Sequence, residues 1–154
     1  MFKNKTIKLF LILGVILFSL VGVVGCSNST GGNNVNATYI RTYFEDNDIE
    51  GRFEVINSNI DLVTLLETDA PEKYDEDFFE TKSLLAFKIV ESSGGNKSEI
   101  ESYEIIDKTL NVYVKTKQYG DTADMGYWWF ILELSKEETE TFENVKIYKN
   151  VKEL

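Results

Sequence analysis

The chain has 154 residues, with 16 Lys and Arg against 26 Asp and Glu, no histidine, one cysteine and a formal net charge of −10. That balance excludes nucleic acid as a partner, because phosphate binding is driven by Lys/Arg neutralisation and counterion release. The missing histidine and the single thiol exclude Ser-His and Cys-His nucleophile pairs, ordinary zinc sites and an internal disulfide, so the expectation is a protein that is not an enzyme and carries no cofactor.

The first stretch is an address. Lys3, Lys5 and Lys8 form a positive head, and Leu9 to Val24 is apolar except at Gly14, Ser19 and Gly22. This is the layout of an export signal, and it falls short of the about 18–20 apolar residues of a spanning helix. It closes on Val23-Val24-Gly25-Cys26, an ending that resembles the lipobox of bacterial lipoproteins. The resemblance implies that residues 1–25 are a signal peptide, that Cys26 is the first mature residue, and that its sulfur carries a diacylglycerol. The membrane is then a partner through that lipid, on the extracytoplasmic face, since two acyl chains suffice for stable anchoring. Loss of the three lysines leaves 13 basic residues against 26 acidic ones, or −13, which an anionic bilayer would repel. Residues 26–37 are the lipidated cysteine and a Gly-, Asn- and Ser-rich tether with a reach of roughly 20 Å by random-coil scaling. Residues 38–154 are long enough for one domain with a core of its own.

Within that domain, Tyr39–Phe44 and Arg52–Ile56 are β-branched and aromatic runs, predicted as two strands joined by an acidic hairpin turn. Ser58 is placed to cap a short helix whose Leu62, Leu65 and Leu66 share a face. Asp75 caps a second, anchored by Phe78 and Phe79, with Lys82 at its C-terminal dipole. Leu84–Val90, Ser98–Ile106 and Thr109–Lys117 read as strands, separated by the turns Ser93–Asn96 and Asp107-Lys108. Tyr127–Leu134 is apolar on both faces until Glu133 and is predicted to be the central, most buried strand. A one-turn helix capped by Ser135 and a strand over Val145–Tyr148 complete an α+β domain, mostly antiparallel β-sheet with two principal short helices.

Two stretches are candidate sites. Asp46, Asp48, Glu50, Gly51 and Glu54 fall at positions one, three, five, six and nine of a calcium loop, but the twelfth position is Asn57 instead of a bidentate Glu and the flanks read as strands. An acidic turn is the expectation and no metal site is assigned, with a calcium- or small-ligand-binding lipoprotein as the alternative reading. The loop Gln118–Trp129 carries Tyr119, Met125 and Trp129, residue types that binding surfaces favour, and these three are the candidate partner-binding residues. Strand alternation sends Trp128 inward with Phe130, Leu132 and Leu134. Trp129 falls on the opposite face with Ile131, either beneath a helix or open to a partner.

Phe78–Leu85, the glycine turn Ser93–Asn96, the hairpin Ile100–Val114 and the loop Ala123–Trp128 together resemble the C-terminal domain of the PrcB family of protease-complex subunits. Asp124-Met125-Gly126-Tyr127-Trp128 matches an Asp-Met-x-x-Trp segment of similar lipoproteins in low-GC Gram-positive bacteria. The likeness spans roughly Phe53 to Tyr148, with Ser-Gly-Gly-Asn where that family has Thr-Gly-Gly-Tyr. It implies a non-catalytic role beside an envelope protein.

Overall fold

A computed structural model describes residues 35–42, 50–120, 122–150 and 152–154. The export signal, Cys26, most of the tether, Phe44, Asp46 and Asp48 lie outside these residues. The elements run β1 (Ala37–Thr42), β2 (Phe53–Ile56), α1 (Asn59–Leu66), α2 (Glu76–Thr81), β3 (Lys82–Glu91), β4 (Asn96–Ile106), β5 (Thr109–Gln118), β6 (Gly126–Ser135), α3 (Lys136–Thr139), β7 (Asn144–Lys149) and β8 (Lys152–Glu153). They form two four-stranded sheets, ordered β1-β6-β3-β2 and β4-β5-β7-β8. All pairs are antiparallel except β5 with β7. The domain is therefore α+β and mostly antiparallel.

Alternation along the strands builds two cores on the two faces of the first sheet. Leu85, Phe87 and Ile89 of β3 and Phe130, Leu132 and Leu134 of β6 meet Ile100, Leu110, Val112, Val114 and Ile147 of the second sheet. On the other face, Leu84, Ala86, Trp129 and Ile131 pack against Ile56, Leu62, Tyr74 and Phe79. The layers are thus helices, first sheet, second sheet. Each helix starts where its cap dictates: Asp61 N bonds Ser58 Oγ at 3.1 Å, Phe78 N bonds Asp75 Oδ1 at 2.9 Å, and Ser135 with Glu138 closes a reciprocal capping box. Asp107 and Lys108 both have positive φ, the two-residue turn that matches the strand twist of the β4–β5 hairpin. Tyr39 latches the sheets together on one side, accepting a bond from Ile100 N at 3.0 Å with its ring edge-on to Phe130.

Two expectations need correction. The runs around Tyr39 and Arg52 are strands, but they do not pair with each other: β1 adds to β6 and β2 to β3, on opposite edges of the sheet. The tether ends earlier than residue 37, since Val35 packs on the core, Asn36 O accepts from Glu133 N at 2.9 Å and Ala37 opens β1. Lys82 stands at the end of α2 as expected, as its C-cap with its N–H bonding Phe78 O, and it also starts β3, with its Nζ 3.1 Å from Glu133. The last predicted strand, β7, is present and pairs parallel with β5 within the mostly antiparallel domain.

Candidate functional site

The connections at one end of the sandwich are interlocked. Residues 92–95 join β3 to β4, and residues 119–125 join β5 to β6. Gly94 N donates to Asp124 O at 2.7 Å, Thr122 N to Ser93 Oγ at 2.8 Å, Gly95 N to Thr122 Oγ1 at 3.0 Å, and Ser93 Oγ to Gly120 O at 3.2 Å. Gly95 is required by this closeness, because a Cβ there would sit 2.7 Å from Gly120 O. Asp124 is held below the usual carboxylate range by the Thr122 hydroxyl, by its own backbone N–H and by Arg41, whose Nη2 lies 3.2 Å away.

This clamp presents Tyr119, 66% exposed, and Met125, 52% exposed, to solvent. Lys97 Nζ sits 5.4 Å from the centre of the Tyr119 ring, and the Tyr127 hydroxyl points at Met125 Sδ at 3.7 Å. The third candidate does not join them. Trp129 is 7% exposed and roofed by the helical layer, with Lys88 Nζ 4.9 Å from its ring, so it has no surface to offer a partner. Its neighbour Trp128 is the half-buried one, packed at the margin of the inter-sheet core. The phase of the strand is as expected; the open side is the reverse.

Beneath the clamp lies a polar cluster that the sequence pattern did not single out. Glu91, 2% exposed, accepts from the Ser98 hydroxyl, lies 3.4 Å from Thr116 Oγ1 and 3.3 Å from Lys149 Nζ. Lys149 also donates to Val90 O and lies 3.2 Å from Glu50. The signal was present: Glu91 continues the inward register of Leu85, Phe87 and Ile89, and Ser98, Thr116 and Lys149 occupy inward positions of their own strands. A carboxylate placed there must be paired, because an isolated buried charge is prohibitively costly. The cluster ties β3, β4, β5 and β7 together behind the exposed loop.

Among the described residues no group of three or more His, Cys, Asp or Glu could hold a metal ion. Of the calcium-like spacing, Glu50 faces Lys149 and Glu54 accepts from Arg52 at 3.1 Å. No protein family matches the chain, and comparison with curated proteins and with solved structures likewise finds no match.

Proposed function

We propose that this chain is a lipid-anchored, exported lipoprotein whose sandwich is a non-catalytic protein-interaction domain, engaging an envelope protein through the loop of residues 119–125. The observation that carries this reading is the combination of exposure and rigidity at one place. Tyr119 and Met125 project beside Gly120, Thr122 and Asp124, which hydrogen bonds tie to the adjacent glycine turn, so little ordering cost remains to be met on binding there. The likeness to the PrcB family supports the same role, with the partner a component of an envelope protease complex.

The direction of β1 adds geometry. Ala37 pairs with Leu132 and Thr42 with Tyr127, so the chain enters the domain at the end opposite the clamp. With Cys26 in the membrane, the loop would lie about 20 Å beyond the entry point, since six residues of β6 separate Leu132 from Gly126.

The test is site-specific photo-crosslinking in cells, with the reactive residue placed at Met125 or, as control, at Ile106 in the distal end of β4. A discrete adduct from Met125 that disappears with Tyr119→Ala and is absent from Ile106 is expected. Identical adducts from both positions, or none from Met125, would overturn the reading.

A further inference from the structure

At the far end of the first sheet, residues 57–60, the first turns of α2 and Lys136 enclose a groove of about 650 Å³. Phe79, 5% exposed, forms its floor, and Ile60 stands at its rim 77% exposed, the most open large apolar side chain among the described residues. Nothing local calls for isoleucine there, since a β-branched residue is a middling helix former and the neighbouring Asp61 already supplies the acid of the first turn. The walls are fixed. Asn59 Nδ2 donates to Tyr74 O at 2.7 Å, joining α1 to the segment before α2, and the Ser83 hydroxyl donates to Asn57 Oδ1 at 2.7 Å, joining the lead-in of α1 to β3.

Around the apolar floor stand Asp75, Glu76 and Glu80, against the single base Lys136. We infer that this groove binds a segment of another protein in which a bulky apolar side chain, seated against Ile60 and Phe79, is flanked by Lys or Arg. Charge complementarity selects that occupant. A second copy, with net charge −13 once the signal is removed, would bring further acid to an acidic rim; residues 27–34 of the chain itself, SNSTGGNN, contain neither base nor large apolar residue, and residues 43–49, YFEDNDI, carry three acids and no base. The groove lies at the opposite end of β3 from the loop of residues 119–125, about 30 Å away, so the inference does not rest on the function proposed above.

The test uses the full chain in non-ionic detergent and fluorescein-labelled peptides followed by anisotropy: Lys-Leu-Lys-Leu-Lys, its serine analogue Lys-Ser-Lys-Ser-Lys, and the acidic Glu-Leu-Glu-Leu-Glu. The first should bind in preference to the other two. Glu76→Lys with Glu80→Lys should weaken it about tenfold, through loss of the complementary rim. Ile60→Ser, at an exposed position that leaves the fold intact, should weaken it about threefold through loss of apolar contact. The matched reversal Glu99→Lys with Glu101→Lys, on the outer face of β4, should change little. Equal weakening by the two reversals, equal binding of the serine analogue, or indifference to Ile60→Ser would overturn the inference. So would self-association of the chain that Ile60→Ser abolishes.

Discussion

The two faces of the first sheet solve the same problem differently. Toward the second sheet, side chains from β3 and β6 meet those of other strands, and one end of that layer is closed by Glu91, 2% exposed, with two hydroxyls and Lys149. Toward the helices, shorter elements cover Trp129 and Ile131, and the opposite end is closed by Glu133, whose side chain is 10% exposed and bridges Lys73 at 2.8 Å and Lys82 at 3.1 Å. Each core thus ends in one glutamate. The inter-sheet one is buried beside a lysine that is 17% exposed, while the helical one leans on two lysines that are 50% and 42% exposed. A core between sheets can enclose a charge from several strands at once, whereas a thin helical cover leaves the partners in water.

The sharpest test of this contrast is the tryptophan pair, because adjacent residues of β6 feed the two cores. Trp129→Ala removes a ring that is 7% exposed and should cost about 3–5 kcal/mol, with the helical cover collapsing poorly onto the vacancy. Trp128→Ala acts at a half-buried margin and should cost about 1 kcal/mol. Chemical denaturation of both variants decides it. Equal losses would mean that the helical core is no less tolerant than the margin of the sandwich, and the contrast between the faces would fail.

That pair also shows what the sequence could and could not say. The period of two along Tyr127–Leu134 fixes which tryptophan shares a face with Phe130 and which with Ile131, and it places this strand, β6, in the sheet centre. It cannot say which face a helix will cover, which leaves Trp129 a candidate for a surface it does not reach. Local signals carried the caps at Ser58, Asp75 and Ser135, since a cap and its partner lie three residues apart. Pairing between distant segments was not legible: the proximity of β1 and β2 in sequence suggests a hairpin, yet β1 gains a partner in β6, some 90 residues on. Tyr119 and Met125 were legible as candidates because nothing in the strand pattern buries them. Glu91 was missed because a chain with 26 acidic residues makes each one look ordinary.

Removing the buried plug should matter less than removing Trp129. Glu91→Ala leaves the Ser98 and Thr116 hydroxyls only each other, 2.6 Å apart, and Lys149 with Glu50 and Val90 O alone, a loss of about 1–3 kcal/mol. Glu91→Gln keeps an acceptor of the same shape and should recover part of it. Hydrogen exchange should localise the weakening to the 92–95 and 119–125 connections, which rest on the cluster. If Glu91→Ala were neutral, the sealed end would owe its order to the glycine clamp alone.

The smallest effect is expected at Glu133, and pH gives it a signature. Burial alone would raise this carboxyl, but hydrogen bonds and charge from Lys73 and Lys82 outweigh it and hold Glu133 below its usual value. For Lys73 burial works downward, and Glu133 together with Tyr74 more than offsets it, so the lysine is held above its usual value. A depressed carboxyl stabilises the fold above its unfolded pKa of about 4.3 and loses that contribution as pH falls through the lower folded value. Glu133→Gln should therefore cost about 1 kcal/mol or less near neutrality, because both lysines are substantially exposed and screened. The gap between wild type and variant should stay level down to about pH 5 and close below about pH 4. Added salt near 1 M should narrow it at neutral pH, since the Debye length falls to about 3 Å. Denaturation midpoints measured across that pH range settle the matter. A gap that persists unchanged into acid would show that Glu133 holds the helical end by shape and not by charge.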